Sequence, residues 1–299
     1  QLKKERMTMQ ERARRVQGIH RLALRVPDLG EARRFYRDIW LLDDHGADLD
    51  FAGFRSGGED HDDLVLAEGS PQIAHLAFQV ASTEELEAIA TQLAAAGFSP
   101  QPVAEQGLFR SDQAAIAVQD SDGRQVWLVA PQPDASELVK PPAVLAPNRI
   151  GHIVLWTPDQ DAAERFYATL GFQVTDRTNA GMSFLRCNAD HHSLALMKSR
   201  EGRTGLQHVA YDVGSLDNVM RNFARLRSLG VECIWGVGRH GPGNNVFSYY
   251  TDPAGNYIEY YGEMEQFDAN VPVEARIWGP QHKGDVWGVA GVPPLGFRE

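Results

Sequence analysis

His152, His208 and Glu259 occupy matching places in three β-like runs, GHIVLW, LQHVAYDV and AGNYIEYY. Two neutral imidazole nitrogens and one carboxylate can hold a divalent iron-type ion on one face and leave the other open to substrate and oxygen. A lone histidine on a strand is more often a satisfied core residue, so three such coincidences need independent support.

Three more residues could serve such a site. The run RCNADHHSLALM puts His191 and His192 on opposite faces of a strand, and His192 shares parity with Leu194 and Leu196. Beside an open metal face His192 can exchange protons near neutral pH, the alternative being a surface histidine pair next to Asp190. In GRHGPGNNVFSYYTDPAGNYIE, glycines flank His240 and allow the backbone to approach a ligand closely. Tyr249 lies on the strand leading back to Glu259 and can donate a hydrogen bond. A Gly-rich turn and a core tyrosine are the ordinary readings of these two features. The loop has no Walker lysine and no strand-turn-helix context, so it is not a phosphate cradle.

The elements that must position these groups come in repeats. VPDLGEARRFYRDIWLL and TPDQDAAERFYATLGF share a Pro-Asp turn, a helical stretch and a Phe-Tyr pair, and each follows an alternating, strand-like run. IAHLAFQVASTEELEAIATQLAAAGF parallels LQHVAYDVGSLDNVMRNFARLRSLGV, with Ser82 and Ser215 as helix N-caps and Gly97 and Gly230 as stops. In the last helix Val219, Met220, Phe223 and Leu226 are expected to face the core. Each half closes on a turn and strand, DSDGRQVWLV or DPAGNYIEYY. The chain therefore reads as an α+β fold of four strand-helix-strands modules in two pairs.

Superposing the halves sets His20 against His152, His75 against His208 and Trp127 against Glu259, at offsets of 132, 133 and 132 residues. Tryptophan offers a metal no acceptor, so the first half is expected to be metal-free. The domains are expected at 18–131 and 149–262, joined by a Pro-rich linker over 132–148, with a basic segment over 1–17 and a tail over 263–299 that wraps the second domain. A weaker expectation is that the tail also covers the mouth of a site.

With 299 residues, 43% hydrophobic and 23% charged, the chain has the composition of a globular protein, and its net charge of −11 argues against nucleic acid or anionic membrane as the main partner. Cys187 and Cys233 match no metal or redox spacing, which suits a reducing compartment such as the cytoplasm. Residues 1–17 lack the apolar core of a secretory signal.

The runs GHIVLW, CNADHHSLAL, LQHVAYDV, GRHGPGNN and YTDPAGNYIEYYGE, in this order and spacing, resemble the type I extradiol ring-cleaving catechol dioxygenases of the vicinal oxygen chelate superfamily, from about Gln17 to the tail. The resemblance implies four βαβββ modules paired into two domains with curled mixed sheets, the C-terminal domain alone holding metal. His152, His208 and Glu259 then correspond to the ligands of Fe(II), with Mn(II) accepted by the same donors. His192, His240 and Tyr249 correspond to acid/base and hydrogen-bonding residues, and Val154, Phe184, Trp235 and Asn245 to substrate-binding positions. The implied partners are a catechol and dioxygen, and the ring opens beside its hydroxyl carbons rather than between them.

Val154 and Phe184 are apolar and no arginine stands near Trp235, which favours an uncharged catechol; Arg276 or Arg298 from the tail would overturn that. Sheet edges and the basic N-terminal segment make a homo-oligomer the expected assembly. Two rivals share the fold. A glyoxalase- or epimerase-type isomerase would gather a fourth protein ligand and leave His192 and His240 without a task. A metal-free protein of the bleomycin-sequestering kind would have lost the ligands.

Overall fold

The computed structural model describes residues 16–48, 50–57, 61–103, 114–131, 144–268, 271, 273–281 and 284–297. Residues 1–15 of the basic segment, residues 132–143 of the Pro-rich linker and Arg298 lie outside the described residues. Eight strands form the first sheet: β1 (Gly18–Val26), β2 (Asp43–Asp48), β3 (Phe51–Arg55), β4 (Leu64–Glu68), β5 (Gln72–Gln79), β6 (Gln101–Pro102), β7 (Ala115–Gln119) and β8 (Gln125–Val129). Nine form the second: β9 (Arg149–Thr157), β10 (Gln173–Thr178), β11 (Met182–Arg186), β12 (Leu194–Lys198), β13 (Gly205–Asp212), β14 (Trp235–Arg239), β15 (Val246–Thr251), β16 (Tyr257–Gly262) and β17 (Arg276–Trp278).

Helices follow β1, β5, β9 and β13, so each module is βαβββ, as expected from the repeat. The order is β2-β3-β4-β1-β5-β8-β7-β6 in one sheet and β14-β15-β16-β13-β9-β12-β11-β10-β17 in the other. Both are mixed: β1–β4, β5–β8, β9–β12 and β13–β16 run parallel, while β1–β5 and β9–β13 run antiparallel. The tail contributes β17, which adds to the edge of the second sheet in parallel with β10.

The turn residues explain where the helices start. Asp28 and Asp159 of the two Pro-Asp turns accept from the backbone amides of Glu31 and Ala162, and Ser82 and Ser215 accept from Glu85 and Asn218. Gly97 and Gly230 stand in the left-handed region at φ 89° and 78°, where helices end. In helix Leu216–Ser228 the buried stripe is Val219, Asn222 and Leu226. Phe223 is half-buried and Met220 is exposed, contrary to expectation. Met220 follows Val219 by one residue, about 100° around the helix, so both cannot face the core squarely. Asn222 takes the inward place and donates to the Leu145 carbonyl at 3.0 Å.

One core runs through both halves. The Phe-Tyr pair of each half reaches across to the other. Tyr36 donates to Asp252 at 2.8 Å and Tyr167 donates to Asp120 at 3.1 Å, each aspartate opening the turn before the last strand of the opposite half. Trp40 stacks on Tyr260 with centroids 3.7 Å apart, and the Tyr260 hydroxyl donates to the Trp40 carbonyl. Among the described residues no helix is long and apolar enough to cross a membrane.

Candidate metal centre and its cavity

β9, β13 and β16 are neighbours, and their register puts Ala210 of β13 opposite both His152 and Glu259. Side chains alternate along each strand, so His152, His208 and Glu259 project from one face. His152 Nε2 lies 3.1 Å from Glu259 Oε2, His208 Nε2 3.3 Å from the same oxygen, and the two Nε2 atoms 3.4 Å apart. An ion bound at right angles by donors about 2.1 Å away holds those donors about 3 Å apart. The observed triangle therefore fits one face of a divalent cation. His152, His208 and Glu259 are all buried.

The surroundings prepare these donors. His208 Nδ1 is in short contact with Gln207 Oε1, which keeps the ring proton on Nδ1 and leaves Nε2 as a lone pair. Burial lowers His208 to about 4, against the pull of Glu259, so the ring is neutral near neutral pH. Burial alone would raise Glu259, but His152 and His208 together hold it below the usual carboxylate range. Gly151 matters here: a Cβ at this position would overlap the Tyr261 ring, which packs 4.9 Å from that of His152.

A cavity of about 450 Å³ opens from His152 and His208 of the triad. His192, His240, Tyr249, Val154, Phe184 and Trp235 all line it. The His192 ring is 4.3 Å from that of His152 and 5.0 Å from that of Phe184. Burial pushes His192 well below its ordinary range, with the His152 charge acting the same way. His191 and His192 are both buried, which excludes a surface pair. His240 Nε2 and the Tyr249 hydroxyl are 3.0 Å apart, and His240 Nδ1 lies 2.7 Å from the Gly284 carbonyl, which can only accept. Burial lowers His240 and raises the Tyr249 phenol, keeping both groups neutral near neutral pH.

Asn245 takes a different place from the one expected. It is fully buried, does not line the cavity, and its Nδ2 donates to Glu259 Oε1 at 3.3 Å. That bond holds the carboxylate rather than a substrate. Composition signals in the sequence gave no hint of Thr178, Asn179, Met182, Met197 and Gln207, which also line the cavity. The tail was expected at the mouth of a site, and Trp278, Pro280, Pro293 and Phe297 are the residues through which it lines the cavity. Among the described residues no Asp, Glu, Lys or Arg side chain lines it. Arg276, which could have brought a charge, is spent on Asp176 and Glu265 at 2.7 and 2.6 Å.

The first half keeps the scaffold and both histidines without the carboxylate. His75 stacks on Trp127 at 3.9 Å and His20 on His61 at 3.9 Å. Among the described residues, the only three His, Cys, Asp or Glu side chains that gather ligand atoms are those of the second half.

The fold and this site define a class before they define a reaction. The model of the Glyoxalase/Bleomycin resistance protein/Dioxygenase superfamily matches residues 18–128 and 149–260, and the chain belongs to that superfamily. Metapyrocatechase 2 of Cupriavidus necator is 29% identical over 91% of this chain and 89% of that protein. A manganese-dependent 2,3-dihydroxybiphenyl 1,2-dioxygenase of Geobacillus genomosp. 3 is 25% identical over 88% and 93%. The crystal structure of the Mn(II)-bound glyoxalase from Novosphingobium aromaticivorans superposes with a TM-score of 0.83, at 31% identity over 95% of each chain.

Proposed function

We propose that the chain is an extradiol catechol dioxygenase that opens an aromatic diol with dioxygen at a mononuclear iron(II) site, in the breakdown of aromatic compounds. The observation that carries this is the pairing of a three-donor face, His152, His208 and Glu259, with three neutral polar groups, His192, His240 and Tyr249, at the end of a mostly apolar cavity. The curated relatives named as catechol and dihydroxybiphenyl dioxygenases, similar along most of their length, support it.

A metal ion held by His152, His208 and Glu259 would supply the charge that favours ionisation of a vicinal diol and the contact that lets the diolate reduce dioxygen. Tyr249 donates to a diol oxygen and steadies the anion, and His240, with its proton on Nδ1 toward the Gly284 carbonyl, accepts at Nε2 from the hydroxyl that stays protonated. His192 exchanges a proton with the reacting oxygens and returns it as the ring opens. Val154, Phe184 and Trp235 enclose the ring, and no cation lines the cavity among the described residues, which favours an uncharged catechol with an apolar substituent. Iron(II) is our assignment. Manganese(II) suits the same donors, and one relative is named as manganese-dependent.

In this reading 18–131 is a metal-free domain, 132–148 a linker, 149–262 the catalytic domain and 263–299 a tail, with 1–17 a basic N-terminal segment. Two cysteines without a disulfide suit the cytoplasm, and the strand edges suit a homo-oligomer.

A second reading, metal-dependent isomerisation, has the glyoxalase named among the solved structures in its favour. Against it, the donor set among the described residues is three rather than four. The test is anaerobic loading with iron(II) followed by a panel of substituted catechols in air. A yellow ring-fission product is expected with apolar catechols, and Glu259→Ala should lose both product and bound iron. Stoichiometric iron in Glu259→Ala would overturn the ligand assignment. Isomerase activity on a thiohemiacetal, with no product from any catechol, would overturn the function.

A further inference from the structure

His192 is held from behind by a buried chain that the proposed chemistry has not yet used. His191 Nδ1 lies 2.9 Å from His192 Nδ1, and His191 Nε2 lies 2.9 Å from Asp176 Oδ2. Asp176 and His191 are fully buried. The Asp176 carboxylate is fixed in turn by the tail: Arg276 Nε donates to Oδ1 at 2.7 Å and Trp278 Nε1 to Oδ2 at 2.6 Å. Thr175 Oγ1 and the Glu265 carbonyl pin the His191 backbone.

The protons along this chain follow from what each atom can do. Asp176 beside Arg276 is an acceptor only and lies 2.9 Å from His191 Nε2, so hydrogen on that nitrogen avoids setting two lone pairs face to face. His191 in its neutral form then offers a lone pair at Nδ1, which His192 meets with Nδ1–H. The nitrogen of His192 left for the cavity, Nε2, is therefore a bare acceptor.

We infer that Asp176 and His191 are positioning residues that lock His192 in the Nδ1–H tautomer, so that His192 meets the substrate as a proton acceptor and becomes a donor only afterwards. This rests on the ring-opening reading above. The step balances: a hydroxyl proton of the diol passes to His192 Nε2, the O–H bond breaking as the N–H bond forms. The same proton later goes from Nε2 to the oxygen released as the O–O bond breaks. Asp176, through His191, stabilises the imidazolium in between, and its own proton count does not change. A carboxylate that orients an imidazole in this way governs catalysis without touching substrate, as in serine hydrolases.

The direct test is a long-range proton–nitrogen NMR spectrum of histidine-labelled, metal-free protein, with His192 assigned through its loss in His192→Gln. The expected spectrum has His192 protonated at Nδ1 and bare at Nε2, and Asp176→Asn shifts it toward the other tautomer. In the iron-loaded enzyme Asp176→Asn should lower kcat by about 100-fold, a large part of what general acid-base catalysis supplies, with KM and iron content near those of the parent. Asp176→Glu should restore part of kcat. A bare Nδ1 on His192 would overturn the inference, as would an Asp176→Asn enzyme with parental kcat or one that fails only through lost iron. The expected tautomer in a protein that opens no catechol would sink the ring-opening reading and leave the positioning role standing.

Discussion

At the scale of single residues, the metal set was legible because a strand repeats every two residues, so parity alone puts His152, His208 and Glu259 on inward faces. Trp127 in the place of Glu259 then told the two halves apart. The residues that tune the donors left no such mark. Gln207 has the outward parity of its strand relative to His208, and only the fold shows its amide oxygen turned back to His208 Nδ1. Asn245 looked like a loop residue facing substrate, and instead it holds Glu259. Gln207→Ala should therefore weaken metal binding about 10- to 100-fold while leaving kcat near the parental value at saturating metal, because the amide oxygen acts through a ligand that it orients. Competition with a chelator of known affinity measures this. Unchanged affinity would show that His208 needs no orienting partner.

At the scale of elements, the Pro-Asp turns, the serine caps and the terminal glycines placed all four helices in the sequence, since each satisfies a local backbone need. What each helix packs against was not legible. The repeated Phe-Tyr pair marked the modules as copies, yet its reason is a contact across the halves, Tyr36 to Asp252 and Tyr167 to Asp120. The aspartates sit in turns 216 and 47 positions away in the chain, beyond the reach of any local pattern. Removing either hydroxyl leaves a buried carboxylate short of a donor, so Tyr36→Phe and Tyr167→Phe should each cost about 1.5–3 kcal/mol of stability. The two sites share no partner, and the double variant should lose the sum. Denaturant unfolding checks both points. A cost near zero would mean that the hydroxyls are dispensable and the aromatic packing alone joins the halves.

At the scale of the whole molecule, one scaffold carries two histidine pairs, and only one pair is completed by a carboxylate. The unused pair should appear in the pH dependence of stability. Burial lowers His75 to about 3, helped by the charge of Arg21, and His20 to about 2. Unfolded, both titrate near 6.5, so below that pH the unfolded chain binds protons that the folded one refuses. Stability should fall as pH drops from about 6.5 toward 3, by up to about 1.4 kcal/mol per pH unit for each histidine. His75→Asn should make that slope shallower by about one proton, and an unchanged slope would show that His75 is protonated in the fold. In the proposed function the second pair, with Glu259, is the part of the molecule that meets oxygen. Turnover of an apolar catechol by the iron-loaded protein under ¹⁸O-labelled dioxygen, quenched early and read by mass spectrometry, tests that most directly. Both labelled atoms should appear in the ring-opened product, with one dioxygen consumed per catechol; a product without label, or an intact ring beside an isomerised thiohemiacetal, would contradict it.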